Sequence, residues 1–275
     1  MQRQYHLSKM ADVTSATQPI DVVRVRGGVR SAANDQAAAE EPLEVRLHGR
    51  PFATIMRTPG ADRELAAGFL LAERIITSAD DLAAIEYCRD NPNVVEVSVI
   101  DDRALARAGD ARRAVTSACG VCGRATIESL TADVPPIAGA LSMAASIVAV
   151  LPARLRAAQP AFDESGGLHA AGLFSAAGDL VDVAEDVGRH NAVDKVIGRR
   201  VLGDQLPLSG AVLCVSGRTS FEIVQKAAVA GVPIVAAVSA PSTLAIDLAV
   251  ATGITLVGFV RGDSFNIYTH ERRII

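Results

Sequence analysis

The sequence predicts an α/β fold, preceded by a smaller α+β domain, from three observations. From Leu168 onward, short apolar runs alternate with helix-length segments, a pattern typical of a sheet covered by helices. Before residue 100, short runs alternate between polar and apolar residues, which favours half-buried strands. Of the 275 residues 49% are hydrophobic and 21% are charged, which is enough apolar material for a sizeable core. We therefore divide the chain into a disordered tail (1–19), a small α+β domain (20–135) and an α/β domain (136–275).

The small domain is predicted to hold strands and one helix. Residues 20–26 form a short strand, and a polar connector follows at 27–40. Residues 43–47 alternate between apolar and charged side chains, so they pair with 52–57 as a hairpin. The elements expected next are a helix capped by Asp62 and a strand at 94–100.

The second domain is predicted to open with a buried helix at 137–151 and a hairpin formed by 168–175 and 180–184. Strands and helices then alternate along the chain, which indicates a mainly parallel sheet. The predicted strands are 211–215, 233–238 and 254–260, and the predicted helices are 192–202, 220–230 and 243–251. Asn191 is the predicted cap of the first of these helices.

Charge and hydropathy exclude several classes of protein. The 27 basic and 31 acidic side chains give a net charge of −4, so there is no basic field to bind nucleic acid. Two uncharged runs, 134–153 and 227–246, are interrupted by proline and glycine, so we interpret them as buried elements rather than membrane spans. The N-terminus has no apolar segment typical of a secretory signal, and a cytoplasmic protein is expected.

Three loops rich in glycine and arginine follow predicted strands. The carboxyl ends of parallel strands share one edge, where ligands of α/β sheets bind. Glycine allows the backbone to approach a ligand, helix N-termini favour anions and arginine binds phosphate bidentately. Taken singly, each loop is better explained by a helix end with a solvated arginine, but three on one edge predict a phosphate-bearing ligand. The loops are Gly188-Arg189-His190-Asn191, Ser216-Gly217-Arg218-Thr219-Ser220 and Phe259-Val260-Arg261-Gly262-Asp263.

Two histidines lie close to these loops. His190 either contributes to ligand binding or holds its turn by a hydrogen bond. His169 lies in a run of small residues, so we interpret it as a core or dimer-interface residue.

The most informative pair of residues is Cys119 and Cys122, in the motif Ser117-Ala118-Cys119-Gly120-Val121-Cys122-Gly123. Structural zinc needs four ligands, and the sequence has no second C-x-x-C or paired histidines. A thioredoxin-like site needs the pair at a strand–helix junction of a βαβ unit, and here a polar segment precedes it. A following helix N-terminus and Arg124 would instead lower the pKa of a nucleophilic thiolate. The pair alone leaves metal and redox roles open.

Longer motifs carry a resemblance to a known family. The chain resembles the formate dehydrogenase accessory sulfurtransferase family (FdhD) over residues 20 to 270. Besides the cysteine motif, the matching blocks include Met56-Arg57-Thr58-Pro59-Gly60, Glu185-Asp186-Val187-Gly188-Arg189-His190-Asn191-Ala192-Val193-Asp194-Lys195 and Ser216-Gly217-Arg218-Thr219-Ser220-Phe221-Glu222.

The resemblance implies a sulfurtransferase that acts in the maturation of formate dehydrogenase. A cysteine desulfurase would load Cys119 with a persulfide, supported by Cys122, and the sulfur would pass to the molybdenum bis(molybdopterin guanine dinucleotide) cofactor. This cofactor is cargo, and no resident metal is expected. The family's cofactor-binding segment corresponds to Phe259, Val260, Arg261, Gly262, Asp263 and Ser264, with Gly217, Arg218, Arg189 and His190 on the same edge.

The resemblance also implies a homodimer and a cytidine-deaminase-like, three-layer C-terminal domain. Deaminase chemistry is not implied, because the glutamate of the H-x-E motif is missing at His169-Ala170-Ala171. Two other functions remain open: a non-catalytic chaperone of the molybdenum cofactor and a zinc-binding regulatory module.

Overall fold

The computed structural model describes residues 15–100, 113–115, 136–137 and 141–275. The strands within these ranges are β1 (Thr17–Arg26), β2 (Val29–Ala38), β3 (Glu41–Leu47), β4 (Arg50–Arg57), β5 (Leu82–Cys88), β6 (Asn91–Val99), β7 (Arg113–Val115), β8 (His169–Phe174), β9 (Leu180–Asp186), β10 (Val212–Val215), β11 (Ile234–Ala237), β12 (Thr255–Arg261) and β13 (Ser264–Ile267). The helices are α1 (Asp62–Ala72), α2 (Ala145–Ala157), α3 (Pro160–Ser165), α4 (Arg189–Leu202), α5 (Phe221–Val229) and α6 (Thr243–Thr252).

The C-terminal half is built on a six-stranded sheet in the order β13-β12-β11-β10-β8-β9. The predicted hairpin and the strand–helix alternation are both present, but the sheet is mixed, so the prediction of a mainly parallel sheet is wrong. Only β10, β11 and β12 pair in parallel, because hairpins add antiparallel strands at both sides. These pairings direct β9, β10, β11 and β12 the same way, so all four end at one edge of the sheet.

Helices cover both faces of this sheet. Residues Val212 and Cys214 face a cluster that includes Val148 and Leu151 of α2. The opposite face belongs to a larger core shared with α4, α5 and α6. The mixed α/β class is confirmed, and the likeness to cytidine deaminases remains a prediction.

The N-terminal half holds a five-stranded sheet, in the order β5-β6-β3-β4-β7, and a separate hairpin of β1 and β2. The predicted hairpin of β3 and β4 is confirmed. The predicted connector at 27–40 is wrong, since residues 29–38 form β2. Gly27 and Gly28 have φ angles of 55° and 83°, the conformation of a tight hairpin turn. β1 begins at Thr17, inside the range predicted to be a disordered tail, and residues 1–14 lie outside the described ranges.

Two predicted helix caps are wrong because both side chains have buried polar partners. Helix α1 follows Ala61, and the Asp62 carboxylate accepts two hydrogen bonds of 2.9 Å from the buried Arg57 guanidinium. Helix α4 begins at Arg189 after Gly188, and the Asn191 amide donates to Asp186 and to the Met56 carbonyl.

The two uncharged runs, 134–153 and 227–246, form short helices and strands where the structure describes them. Helix α2 begins at Ala145 rather than 137 and contains Pro152, and 138–140 lie outside the described residues. Residues 227–246 are divided among α5, β11 and α6. None of the helices in the described ranges has the length and apolar character that crossing a membrane requires.

One apolar core joins the two halves of the chain. It includes Leu65 and Leu70 of α1 together with Val193 and Ile197 of α4. Helices α1 and α4 cross without intervening side chains: a Cβ atom added to Gly68 would lie 2.1 Å from the Asp194 carbonyl oxygen. This crossing holds the β4–α1 segment against the start of α4. The proposed domain boundary at residue 135 lies outside the described residues and remains a prediction.

Candidate functional site at the carboxyl edge of the sheet

Two of the three predicted loops meet at the carboxyl edge. A Cβ atom added to Gly217 would lie 3.4 Å from His169 Nδ1 and 3.9 Å from Arg189 Cδ. Arg218 is exposed beside them. The edge therefore presents two arginines next to the N-termini of α4 and α5.

The third loop, residues 259–264, lies at the same edge but beyond the end of β11. Phe259 N donates to the Ser239 carbonyl, and Ser264 Oγ donates to the Arg261 carbonyl at 3.1 Å. Phe259, with φ of 55°, is exposed, as are Arg261, Gly262, Asp263 and Ser264, whereas Val260 is buried in the core. No hydrogen bond between described residues joins this loop to Arg189 or Arg218. Cys119 and Cys122 lie outside the described residues.

His190 connects the starts of α4 and α5. Its Nε2 lies 2.9 Å from Ser220 Oγ, and its Nδ1 lies 3.2 Å from Glu222 Oε2. Burial, together with the positive charges of Lys226 and Arg189, lowers the pKa of His190 to about 3, so the ring is neutral near pH 7. A carboxylate next to Nδ1 requires the proton there, so Nε2 accepts a hydrogen bond from the Ser220 hydroxyl. This hydrogen bond holds the turn, one of the two roles considered for His190.

The lowered pKa of His190 predicts an acid-sensitive fold. Between its ordinary value of 6.5 and about 3, the unfolded chain binds a proton that the folded chain excludes, so stability falls as the pH falls. The free energy of unfolding of the wild type should fall by about 2 kcal/mol between about pH 7.5 and pH 5 because of His190. In His190→Gln this part of the fall should be absent. Urea unfolding at several pH values measures this, and parallel pH curves for the two proteins would contradict it.

Asp186, at the end of β9, organises the start of α4. Its side chain is fully buried and accepts four hydrogen bonds. The donors are Gly188 N (2.8 Å), Asn191 Nδ2 (2.8 Å), Thr58 N (3.1 Å) and Lys195 Nζ (2.7 Å). Lys195 Nζ also donates to the Thr58 carbonyl at 2.8 Å. The motif at 56–60 and the motif at 185–195 thus meet in one buried polar network.

A second buried network ties α4 to α5. Lys226 Nζ lies 2.8 Å from both carboxylate oxygens of Asp194 and 3.5 Å from Glu222 Oε1. Burial alone would lower the pKa of Lys226, but Asp194 and Glu222 outweigh it and raise the pKa. Sequence reasoning assigned no role to these residues. A usable signal is present, because two of the chain's three lysines, Lys195 and Lys226, fall in helices that are predicted to cover the sheet.

A pocket of about 550 Å³ opens on the α2 face of the same edge. Its lining comprises Pro152, Ala153, Leu155, Arg156, Gln159, Phe162, Gly166, Gly167, Leu168, His169, Ser216 and Val238. His169 is half-buried there, so the core alternative is wrong, and the dimer-interface alternative stays a prediction. Burial, followed by the charge of Arg189, lowers the pKa of His169 although Asp186 opposes the shift. The sequence does not predict this pocket, because the pocket forms only where α2 and α3 pack next to the carboxyl edge of the sheet in the folded chain.

Comparison with known proteins assigns the chain to a family. A sequence model of the FdhD/NarQ family matches residues 38–275. The sulfur carrier protein FdhD of Streptomyces avermitilis is 50% identical over 272 residues, which cover 92% of this chain and 94% of that protein. The protein of the same name from Mycobacterium tuberculosis is 48% identical over 250 residues, 86% of this chain and 91% of that protein.

A solved structure supports the same assignment. The crystal structure of a putative formate dehydrogenase accessory protein from Desulfotalea psychrophila superposes with a TM-score of 0.77 at 25% identity. The superposition covers 95% of this chain and all of that chain. The chain therefore belongs to the FdhD/NarQ family.

Proposed function

We propose that this protein carries sulfur as a persulfide on Cys119 and delivers it to the molybdenum bis(molybdopterin guanine dinucleotide) cofactor of formate dehydrogenase. The observation that carries the proposal is the 50% identity, over 92% of the chain, to a protein named as a sulfur carrier. The name of the Desulfotalea protein supports formate dehydrogenase as the recipient.

The sulfur transfer balances with the two cysteines of the motif. The Cys119 thiolate attacks the outer sulfur of a desulfurase persulfide, which forms Cys119–S–SH and releases the desulfurase thiolate. Cys122 then attacks the Cys119 sulfur. A Cys119–Cys122 disulfide forms, and hydrosulfide leaves to bind the molybdenum. The two thiols supply the two electrons that reduce the sulfur, so a cellular thiol must reduce the disulfide before the next cycle.

The carboxyl edge has the features needed to hold the cofactor's phosphates. Arg189 Nε and Thr219 Oγ1 are buried and have no hydrogen-bond partner among the described residues. A buried donor without a partner costs about 1–3 kcal/mol, which a bound oxyanion would recover. Helix N-termini at the same place also favour anions. In our proposal Arg189, Arg218 and Arg261 bind the pyrophosphates, and the two-residue turn at Gly262–Asp263 lets the backbone approach them.

Persulfide loading is the direct test of the carrier role. After incubation with a cysteine desulfurase and cysteine, intact-mass spectrometry should find wild-type protein heavier by one sulfur atom, and Cys119→Ala should lose this adduct. Cys88→Ala is the matched control and should keep it. Burial raises the pKa of Cys214 to about 12, so that thiol is not expected to react. An adduct that persists in Cys119→Ala contradicts the assignment, and dehydrogenase sulfuration that survives the variant favours a non-catalytic chaperone.

Cofactor binding is tested separately at Arg261. We expect Arg261→Ala to weaken the binding of GDP, a fragment of the cofactor, by roughly one to two orders of magnitude, because a charge-assisted hydrogen bond contributes about 1.5–3 kcal/mol. Persulfide loading should be unchanged. Isothermal titration calorimetry measures the Kd, and Arg24→Ala on β1, whose side chain is 39% exposed, is the control. If Arg261→Ala and wild type bind GDP with equal affinity, Arg261 does not belong to the binding site.

A further inference from the structure

We propose that Ser220, His190 and Glu222 form a nucleophilic site that hydrolyses carboxylic esters bearing a negative charge. The three side chains come from the starts of α4 and α5, at the carboxyl edge of the six-stranded sheet. This activity goes beyond the proposed function and is independent of it, because it uses neither Cys119 nor Cys122.

The arrangement of the three side chains is that of a serine nucleophile with its base. His190 Nε2 lies 2.9 Å from Ser220 Oγ, and His190 Nδ1 lies 3.2 Å from Glu222 Oε2. Both distances are within the reach expected of a nucleophile, its base and a carboxylate that orients the base. Lys226 Nζ lies 3.5 Å from Glu222 Oε1 and holds the carboxylate from its other side. Such triads are recognised by geometry and not by sequence position.

The side chain of Ser220 is the observation that points to a nucleophile. A serine at the N-cap of a helix ordinarily accepts a hydrogen bond from the first turn of that helix, as Ser242 does from Ala245 N at 3.2 Å. Ser220 is the N-cap of α5 but makes no such bond, and its hydroxyl lies against His190 instead. Ser220 is half-buried, so its oxygen is within reach of a small ligand.

The same turn supplies donors for the oxyanion that attack on an ester produces. The first N–H groups of a helix have no partner within the helix, and no side chain caps those of α5. Thr219 Oγ1 is buried and has no hydrogen-bond partner among the described residues. The turn is fixed, because Thr219 N donates to the Ala240 carbonyl at 3.2 Å and Ser242 N donates to the Thr219 carbonyl at 3.0 Å. Donors that are fixed before the reaction stabilise a transition state most effectively.

Positive charge beside the three side chains defines the class of ester. Arg189 immediately precedes His190, and its Nε is buried without a partner among the described residues. Arg218 is exposed two residues before Ser220. Guanidinium groups bind anionic oxygens through charge-assisted hydrogen bonds. We therefore expect the site to favour an ester that carries an anionic group apart from the bond that is cleaved.

The reaction needs only water as a co-reactant. Ser220 Oγ attacks the carbonyl carbon while His190 Nε2 takes the hydroxyl proton, and Glu222 stabilises the imidazolium ion that forms. The tetrahedral intermediate expels the alcohol, which leaves with that proton, and an acyl ester of Ser220 remains. Water then attacks this ester and gives a proton to His190 Nε2. The carboxylic acid leaves, and the proton returns to Ser220 Oγ.

His190 is in the protonation state that a base requires. Burial, together with the positive charges of Lys226, Arg189 and His169, lowers its pKa to about 3, and Glu222 faces it with a negative charge. The ring is therefore neutral from about pH 5 upward. A base of such low pKa accepts a proton slowly, so we expect slow turnover. A covalent label on Ser220 is the more sensitive readout.

Labelling with a fluorophosphonate tests the nucleophile. This reagent forms a phosphonate ester with an activated serine and releases fluoride. We expect a single adduct on the full wild-type chain, mapped to Ser220 by peptide mass spectrometry, and none on Ser220→Ala. Ser31→Ala, at an exposed position of β2, is the matched control and should be labelled as wild type is. His190→Gln should slow the labelling by about 100-fold or more, the usual contribution of a general base.

The pH profile of labelling distinguishes a base from a residue that only holds the turn. The wild-type rate should be constant from about pH 5 to pH 8, because His190 stays neutral over this range. In His190→Gln the residual rate should rise with pH, since hydroxide is then the base. Glu222 is a positioning residue, and Glu222→Gln should lower the rate without introducing that rise.

Ester hydrolysis tests the substrate class. Wild type should hydrolyse 4-nitrophenyl hydrogen succinate with a higher kcat/KM than 4-nitrophenyl acetate, and Arg218→Ala should lower the ratio of the two values. The same ratio in both proteins overturns the preference for anionic esters. If folded wild type gains no adduct, or if His190→Gln is labelled as fast as wild type, the nucleophilic site is overturned. Persulfide loading of Cys119 is measured separately, so the proposed function stands or fails on its own test.

Discussion

Replacing Gly198 with alanine is expected to lower the free energy of unfolding by roughly 3 kcal/mol or more, at the upper end of what overpacking costs. The added Cβ atom would lie 1.8 Å from the carbonyl oxygen of Glu64 and 2.8 Å from Gly68 N. Both contacts are backbone atoms of α1, which cannot rotate away as a side chain can. The substitution therefore forces α1 and α4 apart and opens the core between the two halves of the chain.

Thermal unfolding measures this effect. At roughly 2–4 °C per kcal/mol for a chain of this size, the Tm should fall by about 10 °C. Gly210→Ala is the matched control, since its Cβ atom would meet nothing within 4 Å, and its Tm should stay within about 2 °C of wild type. Equal Tm values for Gly198→Ala and Gly210→Ala would show that the helices do not cross as closely as described.

The elements that the sequence predicts well are those with a regular hydrophobic period. The β3–β4 hairpin and the strands β10, β11 and β12 follow from alternation or from apolar runs bounded by glycine and proline. Strands β2, β5 and β13 were missed because they are partly exposed and lack a continuous apolar face. β13 is one of the two reasons why the sheet is mixed, since it pairs with β12 through a two-residue turn that the sequence predicts only as a ligand loop. The β8–β9 hairpin at the other side is the second reason.

The candidate site, like the fold, is predicted only in part by the sequence. Arg189 and Arg218 come close together because loops after strands of one direction share an edge, which topology alone predicts. The pocket depends on how α2 and α3 pack, and that tertiary contact leaves no local signal around Gln159. The buried networks were missed for another reason: Asp186 and Lys195 are charged residues within motifs, and charge suggests solvent exposure unless the partner is known.

Replacing Asp186 with alanine is expected to cost on the order of 3–5 kcal/mol, the usual penalty for breaking a buried ion pair. The substitution leaves Lys195, whose side chain is 3% exposed, as a buried charge with only carbonyl partners. It also removes the acceptor for Gly188 N and Thr58 N. Lys195→Met should cost less, because the Asp186 carboxylate keeps three of its four donors. Urea unfolding gives this order directly.

The same variants connect stability to function. Gly188 immediately precedes α4, so the loss of its bond to Asp186 displaces Arg189 and His190 at the carboxyl edge. Asp186→Ala should therefore weaken GDP binding under conditions where the protein is still folded, whereas Asp35→Ala, which removes an exposed ion pair with Arg24, should change stability by less than about 1 kcal/mol and leave binding intact. If folded Asp186→Ala binds GDP as tightly as wild type, the buried network around Asp186 does not position the binding site. Its role is then only to join the two halves of the chain.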